Sequence, residues 1–492
     1  MVVDSDTERV RCSAEYLVNS SQNDDDNKFL RHQQAVKGSR KKFFRRWLGD
    51  SSNENPREYA AWKKRMILLV ITFSGAIGAT GTTLYLPGLR QIQLDLDASY
   101  TAVNASLALT SLVTAIFPLF WAAYGDVYGR KYPFLISLAI TSASYVCSGL
   151  SPTVELLIVF RGLGAVGASA SIAICAGIVT DLYDDKQQGG AYSTFTMGPL
   201  LGTSIGPIVG GRLIQAFGWR STLFFMAGYA KIAWVLVLLL VPETSHRNNP
   251  SSCPENDKKR RNIKLLSALK LFSYPNVLVV CLISGISFFA HYFNLTAFTW
   301  IYTGQYNLDP GNVSLCYLVF PLGSITGNVV GGRLSDRTYK RRLEQAEVQD
   351  KETNYEMRLG YGTLATCYIV WLVCLSAFGW CIQKNVHFAY GIIFEFLVNV
   401  CCSSTTVVLA TYLINSFARQ SSSVNACNYF ARFTLAAVGE LFASDMLEAV
   451  PSGPLFTLIS MLVFLSSFSL IYIKQNPHKW QQMREEREPF FA

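Results

Sequence analysis

Twelve apolar segments, each long enough to cross a lipid bilayer, constrain this chain more than any other feature of its sequence. A helix that spans a bilayer needs roughly 20 apolar residues. Polar or turn residues flank every segment, and several segments contain glycine and proline, which are common in membrane helices. The segments lie near 66–88, 101–124, 132–150, 154–179, 191–213, 219–242, 276–303, 311–333, 360–382, 386–414, 421–447 and 453–474. The sequence therefore predicts an all-α polytopic membrane protein with 12 transmembrane helices.

The composition argues against several other classes of protein. Only 16% of the residues are charged and 50% are hydrophobic, whereas soluble domains average about 25% charged residues. The net charge of +9 could indicate nucleic-acid binding, but the basic residues would then lie on a soluble face. The 12 cysteines and 5 histidines show no metal-ligand spacing. We therefore expect no enzyme activity, no nucleic-acid partner, no metal and no cofactor.

The basic residues are distributed unequally between the two sides of the predicted bundle. With the N-terminus in the cytoplasm, 36 of the 43 lysines and arginines fall on the cytoplasmic side, 4 on the other side and 3 within spans. Such an excess of positive charge marks the cytoplasmic loops of membrane proteins. Both termini are therefore expected in the cytoplasm, which requires an even number of spans.

The chain divides into two sets of six spans. Residues 1–65 are predicted to be a disordered basic cytoplasmic tail, 66–242 an N-terminal six-helix bundle and 243–275 a cytoplasmic central loop. Residues 276–474 are predicted to form a C-terminal six-helix bundle, and 475–492 a cytoplasmic tail. Because the central loop is the longest break between spans, it indicates two pseudo-symmetric halves with a site between them.

Two short polar stretches indicate an internal repeat. The second span ends in Asp126-Val-Tyr-Gly129-Arg130-Lys131, and the matching point of the second half reads Gly332-Arg333-Leu-Ser-Asp336-Arg337. The two aspartates are 210 residues apart, and each stretch is predicted to be a tight cytoplasmic turn between neighbouring helices. Such turns can form charge clusters that break and re-form as two halves rock. Ordinary loop charge is the alternative interpretation.

These stretches resemble the loop signature of the major facilitator superfamily, Gly-x-Leu-Ala-Asp-Arg-x-Gly-Arg-Lys. The first copy has Ala122 in place of the first glycine and Val127 in place of the arginine, and the second has Tyr339 in place of the later glycine. The resemblance extends over all twelve segments and implies a cytoplasmic gate in which Asp181 is the partner of Arg130. The gate residues that it implies are Asp126, Gly129, Arg130, Lys131, Asp181, Asp336 and Arg337.

The fifth span carries the most specific pattern in the chain. Its glycines recur every four residues, so they share one helix face and allow another helix to approach closely. A proline within the pattern bends the helix. The whole pattern is similar to the antiporter motif of twelve-span drug:proton antiporters, which implies export, although an ordinary packing face is the alternative. The residues are Gly198, Gly202, Gly206, Pro207, Gly210 and Gly211.

Ionisable residues inside spans are costly and mark ion or substrate pathways. Arg161 begins Arg161-Gly-Leu-Gly164-Ala-Val-Gly167, which resembles the same family's Arg-x-x-Gln-Gly-x-Gly signature and implies a role in proton transfer. Glu395 is predicted near the middle of the tenth span, where burial favours a protonated carboxyl. Arg432 and Glu440 lie on nearly one face of the eleventh span. These four residues are the candidates for proton coupling, and snorkelling or carbonyl bonding is the alternative for Arg161.

Aromatic and polar residues in the same spans are candidates for a substrate cavity. The seventh span reads Phe288-Phe289-Ala-His291-Tyr292-Phe293-Asn294, in which the histidine can carry a proton and the rings can stack on a flat ligand. Aromatic runs of this kind also pack between helices or face lipid. The candidates are His291, Tyr292, Asn294, Phe195, Tyr317 and Tyr429.

Within that superfamily the pattern is most similar to fungal drug:proton antiporters of the quinidine-resistance and dityrosine-exporter type. This implies a proton-coupled plasma-membrane exporter of small amphipathic organic molecules or drugs, with protons and the lipid bilayer as its other partners, and we expect a monomer. No GxxxxGK(S/T) motif occurs, so the proton gradient is the expected energy source. Two alternatives stay open: a proton-coupled importer or facilitator of a sugar, amine or organic acid on the same fold, and a non-transporting receptor.

Overall fold

Helices make up most of the part of the chain that the computed structural model describes, which is residues 56–244, 270–348, 359, 361–417, 421–475, 479–480 and 482. No strand occurs in these ranges. The long helices, numbered α1 to α12, are Ala61–Thr83, Tyr100–Tyr128, Lys131–Gly149, Val154–Leu182, Asp185–Phe217, Arg220–Leu240, Pro275–Gly304, Val319–Val348, Tyr361–Gln383, Phe388–Ser416, Ser421–Ala449 and Ser452–Ser467. Shorter α-helices are Leu89–Asp95, Pro310–Cys316 and Ser469–Gln475. The predicted all-α architecture is confirmed, whereas most of the predicted tails and of the central loop lies outside the described residues.

The helices differ in how well they suit contact with lipid. Within the described ranges, nine helical stretches are long and apolar enough to cross a membrane by length and composition. The other three long helices are α3, α5 and α11. Glycine, serine and threonine are frequent in α5 and α11. Because small residues let helices approach closely, these two helices suit contact with other helices.

The same set of helix pairs occurs in both halves of the chain. In the first half α1 packs on α5, α2 on α4, and α3 on α4 and α6. In the second half α7 packs on α11, α8 on α10, and α9 on α10 and α12. Each pair in the second half is therefore the first-half pair moved on by six helices, as an internal repeat requires. Contacts of α2 with α11, and of α5 with α8, join the two halves.

Several helices begin or end outside their predicted segments. α1 begins at Ala61 rather than at 66. α8 continues to Val348, so Asp336 and Arg337 lie inside a helix instead of in a tight turn. In the first copy of the motif α2 ends at Tyr128, and Gly129, whose φ is +89°, follows it as the capping residue. Tyr339 stands at the equivalent position of the second copy, and since a side chain disfavours positive φ, the helix continues there.

Hydrogen bonds join the two halves at one end of the bundle. We call the end that carries the Gly129 turn the basic side and the other end the opposite side. At the opposite side the first turns of α2 and the short helix Leu89–Asp95 meet the last turns of α7 and α11. The bonds run from Asn104 to Ser444 (2.9 Å), Trp300 to Asn104 (3.2 Å), Thr101 to Asp445 (2.6 Å) and Arg90 to the Thr303 carbonyl. The structure is therefore closed at the opposite side.

Candidate functional site

The turn between α2 and α3 holds a cluster of charges on the basic side. Nε of Arg130 lies 3.3 Å from Oδ2 of Asp181, one residue before the end of α4. Both side chains are mostly buried, with 15% and 20% of their surface exposed. Gly177 makes room for the guanidinium, because a Cβ there would lie 2.7 Å from Cζ of Arg130. The contact between Arg130 and Asp181 that the resemblance implies is present.

Glu243, which the sequence analysis does not single out, caps this turn. Its carboxylate accepts hydrogen bonds from the backbone N–H groups of Arg130 at 2.8 Å and Lys131 at 3.1 Å. These N–H groups start α3 and have no partner within the helix, and a negative charge is favourable at a helix N-terminus. Glu243 follows α6 closely in the chain, so it ties the end of α6 to the start of α3. Its only signal in the sequence is its place directly after the sixth apolar segment.

Lys131 also belongs to this cluster, whereas the other gate candidates lie apart from it or outside the described side chains. Lys131 donates from Nζ to the carbonyl of Leu238 at 3.1 Å. Asp336 and Arg337 are exposed on α8. The side chain of Asp126 is outside the part of the chain that the structure describes. The structure thus brings together Gly129, Arg130, Lys131 and Asp181 of the seven candidates.

A Gly129→Ala variant is expected to be less stable by about 1–3 kcal/mol, the usual cost of a strained backbone position. Gly129 has a φ of +89°, and a Cβ there would lie 2.6 Å from Oε2 of Glu243. The midpoint of thermal unfolding in detergent measures the effect. Gly332→Ala is the matched control, because Gly332 is helical and a Cβ there meets no atom within 4 Å. Equal midpoints for the two variants would contradict this account of the turn.

The glycines of α5 bring its backbone against the backbone of α1. A Cβ at Gly198 or Gly210 would clash with a backbone carbonyl oxygen, and one at Gly202 would lie 2.6 Å from Oγ1 of Thr80. The atoms that these positions and Gly206 meet belong to Thr72, Ala76, Thr80, Thr83 and Leu84. As the four-residue spacing predicts, the glycines share one face, and that face packs on α1.

Gly211 faces the other half of the molecule instead. A Cβ at this position would clash with the side chain of Ser314, and it would lie 2.6 Å from the carbonyl oxygen of Pro310. Both residues belong to the short helix Pro310–Cys316 that precedes α8. Pro207 lies within α5, directly after Gly206. α5 thus connects α1 with the second half at the opposite side.

Glu395 lies in a fully buried polar pocket between α7 and α10. Asn294 of α7 donates from Nδ2 to Oε2 of Glu395 at 2.8 Å. Asn399, one turn further along α10, donates to the backbone carbonyl of Glu395 at 2.8 Å. Three oxygens of this trio have no hydrogen-bond donor: Oε1 of Glu395, Oδ1 of Asn294 and Oδ1 of Asn399. The pocket therefore contains more acceptors than donors.

Glu395 lies nearer to the opposite-side end of α10 than to the middle of that helix. It is the eighth of 29 residues in α10, so at about 1.5 Å per residue it lies about 10 Å from the opposite-side end. Arg161 is likewise the eighth of 29 residues in α4, which also starts at the opposite side. Glu440 is the tenth residue from the end of α11. The three groups therefore lie at a similar level, just below the contacts that close the opposite side.

Arg161 and Glu440 face each other from opposite halves. Cζ of Arg161 lies 3.7 Å above the ring of Tyr85, in a cation–π contact. The Tyr85 hydroxyl is 3.3 Å from Oγ of Ser106. Glu440 is 1% exposed, and Arg161 and Ser111 are the charged and polar groups that act on its carboxyl. Nε and Nη1 of Arg161 and Oε2 of Glu440 have no hydrogen-bond partner, and the salt bridges between described residues do not include this pair.

A basic and aromatic cluster lies deeper, where α7 packs on α11. Cζ of Arg432 lies 3.7 Å above the ring of Phe288 and 5.4 Å from that of Tyr429. His291 and Tyr292 adjoin it, with ring centroids 5.5 Å apart. Although these residues are central in their helices, each keeps part of its surface exposed. We call Phe288, His291, Tyr292, Tyr429, Arg432 and Phe433 the cavity cluster.

The remaining cavity candidates lie elsewhere. Phe195 is 3% exposed, and its ring packs on Gly75 of α1, so it belongs to the packing of the first half. Tyr317 is 1% exposed and donates to the carbonyl of Leu295 at 2.8 Å. Asn294 is 1% exposed and bonds Glu395. Tyr192 of α5, which the sequence analysis does not single out, is within electrostatic range of Tyr429 from the other half.

Comparison with known proteins agrees with this architecture. The family model described as Major Facilitator Superfamily matches residues 71–440. A protein named MFS antiporter QDR2 of Candida albicans is 26% identical, with 87% of this chain and 93% of that protein covered. One named MFS antiporter QDR3 of the same organism is 23% identical, with 86% and 79% covered. One named Efflux pump radE of Floropilus chiversii is 27% identical, with 83% and 79% covered.

Solved structures of transporters share the fold. A bacterial homolog of the human lysosomal transporter Spinster, in an inward-facing and unoccupied conformation, gives a TM-score of 0.63 at 14% identity, with 86% of this chain and 97% of that chain covered. A peptide transporter POT in complex with alafosfalin gives 0.65 at 13% identity, with the same shares covered. The helix order, the repeated pairs and the match over most of the chain lead to one conclusion. The chain is an integral multi-pass membrane protein that belongs to the Major Facilitator Superfamily.

Proposed function

We propose that the chain is a proton-coupled exporter, which moves small amphipathic organic molecules across the plasma membrane by alternating access. The observation that carries this proposal is the partly exposed cavity cluster, which lies below a closed opposite side, with two buried carboxyls, Glu395 and Glu440, between the cluster and that side. Three similar proteins carry the names antiporter or efflux pump, which favours export over import. The excess of lysine and arginine on the basic side supports a cytoplasmic location for that side and both termini, and we expect a monomer.

Glu395 is the proposed proton-binding residue. Its pocket holds three acceptor oxygens without a donor, and an unsatisfied buried acceptor costs free energy. A proton on the carboxyl adds an O–H donor, so the neutral acid satisfies the pocket better than the carboxylate. The groups that face Glu395 are Asn294, Asn399, Tyr302, Tyr317 and Cys374, and none of them is basic. A proton is therefore the cation that suits this pocket.

Arg161 and Glu440 are proposed to connect proton binding to the movement of the halves. They belong to opposite halves, so a change in the charge of Glu440 alters an attraction between the halves. Export requires that proton and substrate favour different conformations or compete for one group. The substrate reaches the cavity cluster from the basic side, and the contacts between Asn104, Ser444 and their neighbours break when the opposite side opens.

Retention of compounds by cells tests the proposed function. Cells with and without the chain are loaded with a panel of cationic dyes, weak acids and polyamines, and each assay is repeated with a protonophore. We expect lower retention of at least one class in cells that carry the chain, and we expect the protonophore to abolish the difference. Higher retention would establish import, while no change for any class would contradict transport.

The receptor alternative needs a second measurement. Removal of residues 1–55, which precede the first described helix, is expected to leave export intact. A receptor that signals through its cytoplasmic tail would lose its output in the same variant. Loss of export in this variant at normal surface abundance would contradict the assignment of transport to the two bundles alone.

A further inference from the structure

Arg432 has a guanidinium without an anionic partner in the part of the chain that the structure describes. Its Nε is buried without a hydrogen-bond acceptor, and the salt bridges between described residues do not include it. Arginine stays charged in proteins, and an unpaired charge at membrane depth is costly and marks a substrate or ion pathway. A carboxylate suits the planar guanidinium, because two parallel hydrogen bonds can form. The guanidinium of Arg432 can therefore bind the anionic group of a ligand.

The surroundings of Arg432 favour a flat apolar group on that anion. Phe288 and Tyr292 have ring centroids 5.8 Å apart, and each lies 6.0 Å from the ring of Phe433. The ring of Tyr429 is nearly parallel to that of Phe433, at 11° and 6.0 Å. Rings at these distances and angles offer both faces and edges to an aromatic ligand. The partly exposed cavity cluster is thus mostly aromatic around one positive charge.

The acidic groups nearby are poorly placed to hold a cation. Glu395 is fully buried behind Asn294. Glu440 is 1% exposed and lies eight residues from Arg432 on α11, which is about 12 Å along the helix. Arg161, a second guanidinium with unsatisfied N–H groups, lies beside Glu440. The charge that a ligand in the cavity meets first is positive.

We propose that the transported molecule is a flat organic anion, whose carboxylate binds Arg432 and whose ring system lies among Phe288, Tyr292, Tyr429 and Phe433. This assignment rests on the proposed export function and names its substrate class. Arg432 sets specificity by charge, and the four rings set it by shape. A neutral amide of the same shape loses the ionic part of the interaction, and an amine is repelled.

Three probes with one ring system and different head groups test the proposal. They are 2-naphthoate, 2-naphthamide and 2-naphthylmethylamine, presented to the purified full chain in proteoliposomes with an imposed pH gradient. We expect 2-naphthoate to be transported at least about 10-fold faster than the other two, since a bidentate pair of two charge-assisted hydrogen bonds is stronger than the neutral bonds that an amide can form. Faster transport of the amide or the amine would overturn the substrate class while leaving export intact.

Variants of Arg432 assign the effect to this residue. Arg432→Gln is expected to lose 2-naphthoate transport by about 10-fold or more, whereas Arg432→Lys keeps part of it, because lysine retains the charge but not the planar fork. Lys231→Gln is the matched control, since Lys231 is an exposed basic residue within α6. Unchanged 2-naphthoate transport in Arg432→Gln would overturn the assignment.

A binding measurement keeps the test valid if Arg432→Gln folds poorly. 2-Naphthoate is expected to raise the unfolding midpoint of the unmodified chain, and 2-naphthamide is expected to raise it less, because a ligand stabilises the state that binds it. Equal shifts for the two probes would overturn the ionic role of Arg432. Failure of the proposed function gives a different result from failure of the substrate assignment. If the chain is not an exporter, the pH gradient drives transport neither of these three probes nor of the dyes, weak acids and polyamines.

Discussion

A Glu395→Gln variant is expected to lose gradient-driven export by about 10-fold or more, a size typical of coupling between sites, while it still folds and binds substrate. Glutamine has nearly the shape of glutamic acid, and its amide supplies N–H donors to a pocket with three unsatisfied acceptor oxygens. The variant therefore mimics the protonated residue at every pH. It cannot release a proton on the other side of the membrane, so uphill transport stops.

Two transport assays on the same proteoliposomes separate coupling from folding. One measures uphill transport under an imposed pH gradient, and the other measures exchange of labelled for unlabelled substrate without a gradient. We expect Glu395→Gln to fail only in the first assay. Glu155→Gln serves as the control, because Glu155 is an exposed residue in the first turn of α4. Uphill transport at the normal rate in Glu395→Gln would show that another residue binds the coupled proton.

Gly198→Ala and Gly210→Ala are each expected to destabilise the protein by about 1–3 kcal/mol or more, the usual cost of overpacking. At both positions even a methyl group would clash with a backbone carbonyl oxygen, which belongs to Thr72 or Leu84. A backbone carbonyl cannot turn away as a flexible side chain can, whether it lies within α1, as that of Thr72 does, or directly after it, as that of Leu84 does. α1 and α5 must therefore separate to admit the added carbon.

Gly190→Ala, in the same helix, is the matched control. A Cβ at Gly190 meets no atom within 4 Å, and alanine favours a helix over glycine by about 0.5–1 kcal/mol. The control is therefore expected to be neutral or slightly stabilising. Thermal unfolding and the monodisperse fraction in detergent measure both effects. Similar values for Gly190→Ala and Gly210→Ala would show that α5 does not approach α1 as closely as described.

Local features of the sequence predict local structure well. Each apolar segment carries its own signal, because a span of about 20 residues must be apolar wherever it lies in the chain. The four-residue spacing of Gly198 to Gly210 likewise defines one helix face. Tyr339 shows the same principle in reverse, since the lack of glycine at that position already indicates that the second copy does not turn as the first does.

Contacts between distant segments could not be predicted in this way. Glu243 caps a helix that begins more than a hundred residues earlier, and Tyr85 supports Arg161 from the connection after α1. Neither pairing has a spacing that sequence alone reveals. Phe195 illustrates a different error. The sequence analysis places it in the substrate cavity, whereas its ring fills the space beside Gly75 of α1.

The bonds that close the opposite side have a consequence for the energy of the transport cycle. Apart from the bonds that involve Asp445 and Arg90, they join neutral partners, namely Asn104, Ser444 and Trp300. A neutral hydrogen bond contributes about 0.5–1.5 kcal/mol net when water can replace it. One elementary charge that crosses a membrane potential of 100 mV releases about 2.3 kcal/mol. The two neutral bonds together are thus comparable in strength to the free energy that one such charge releases, and none of the four bonds is an ion pair that dissolved salt would weaken.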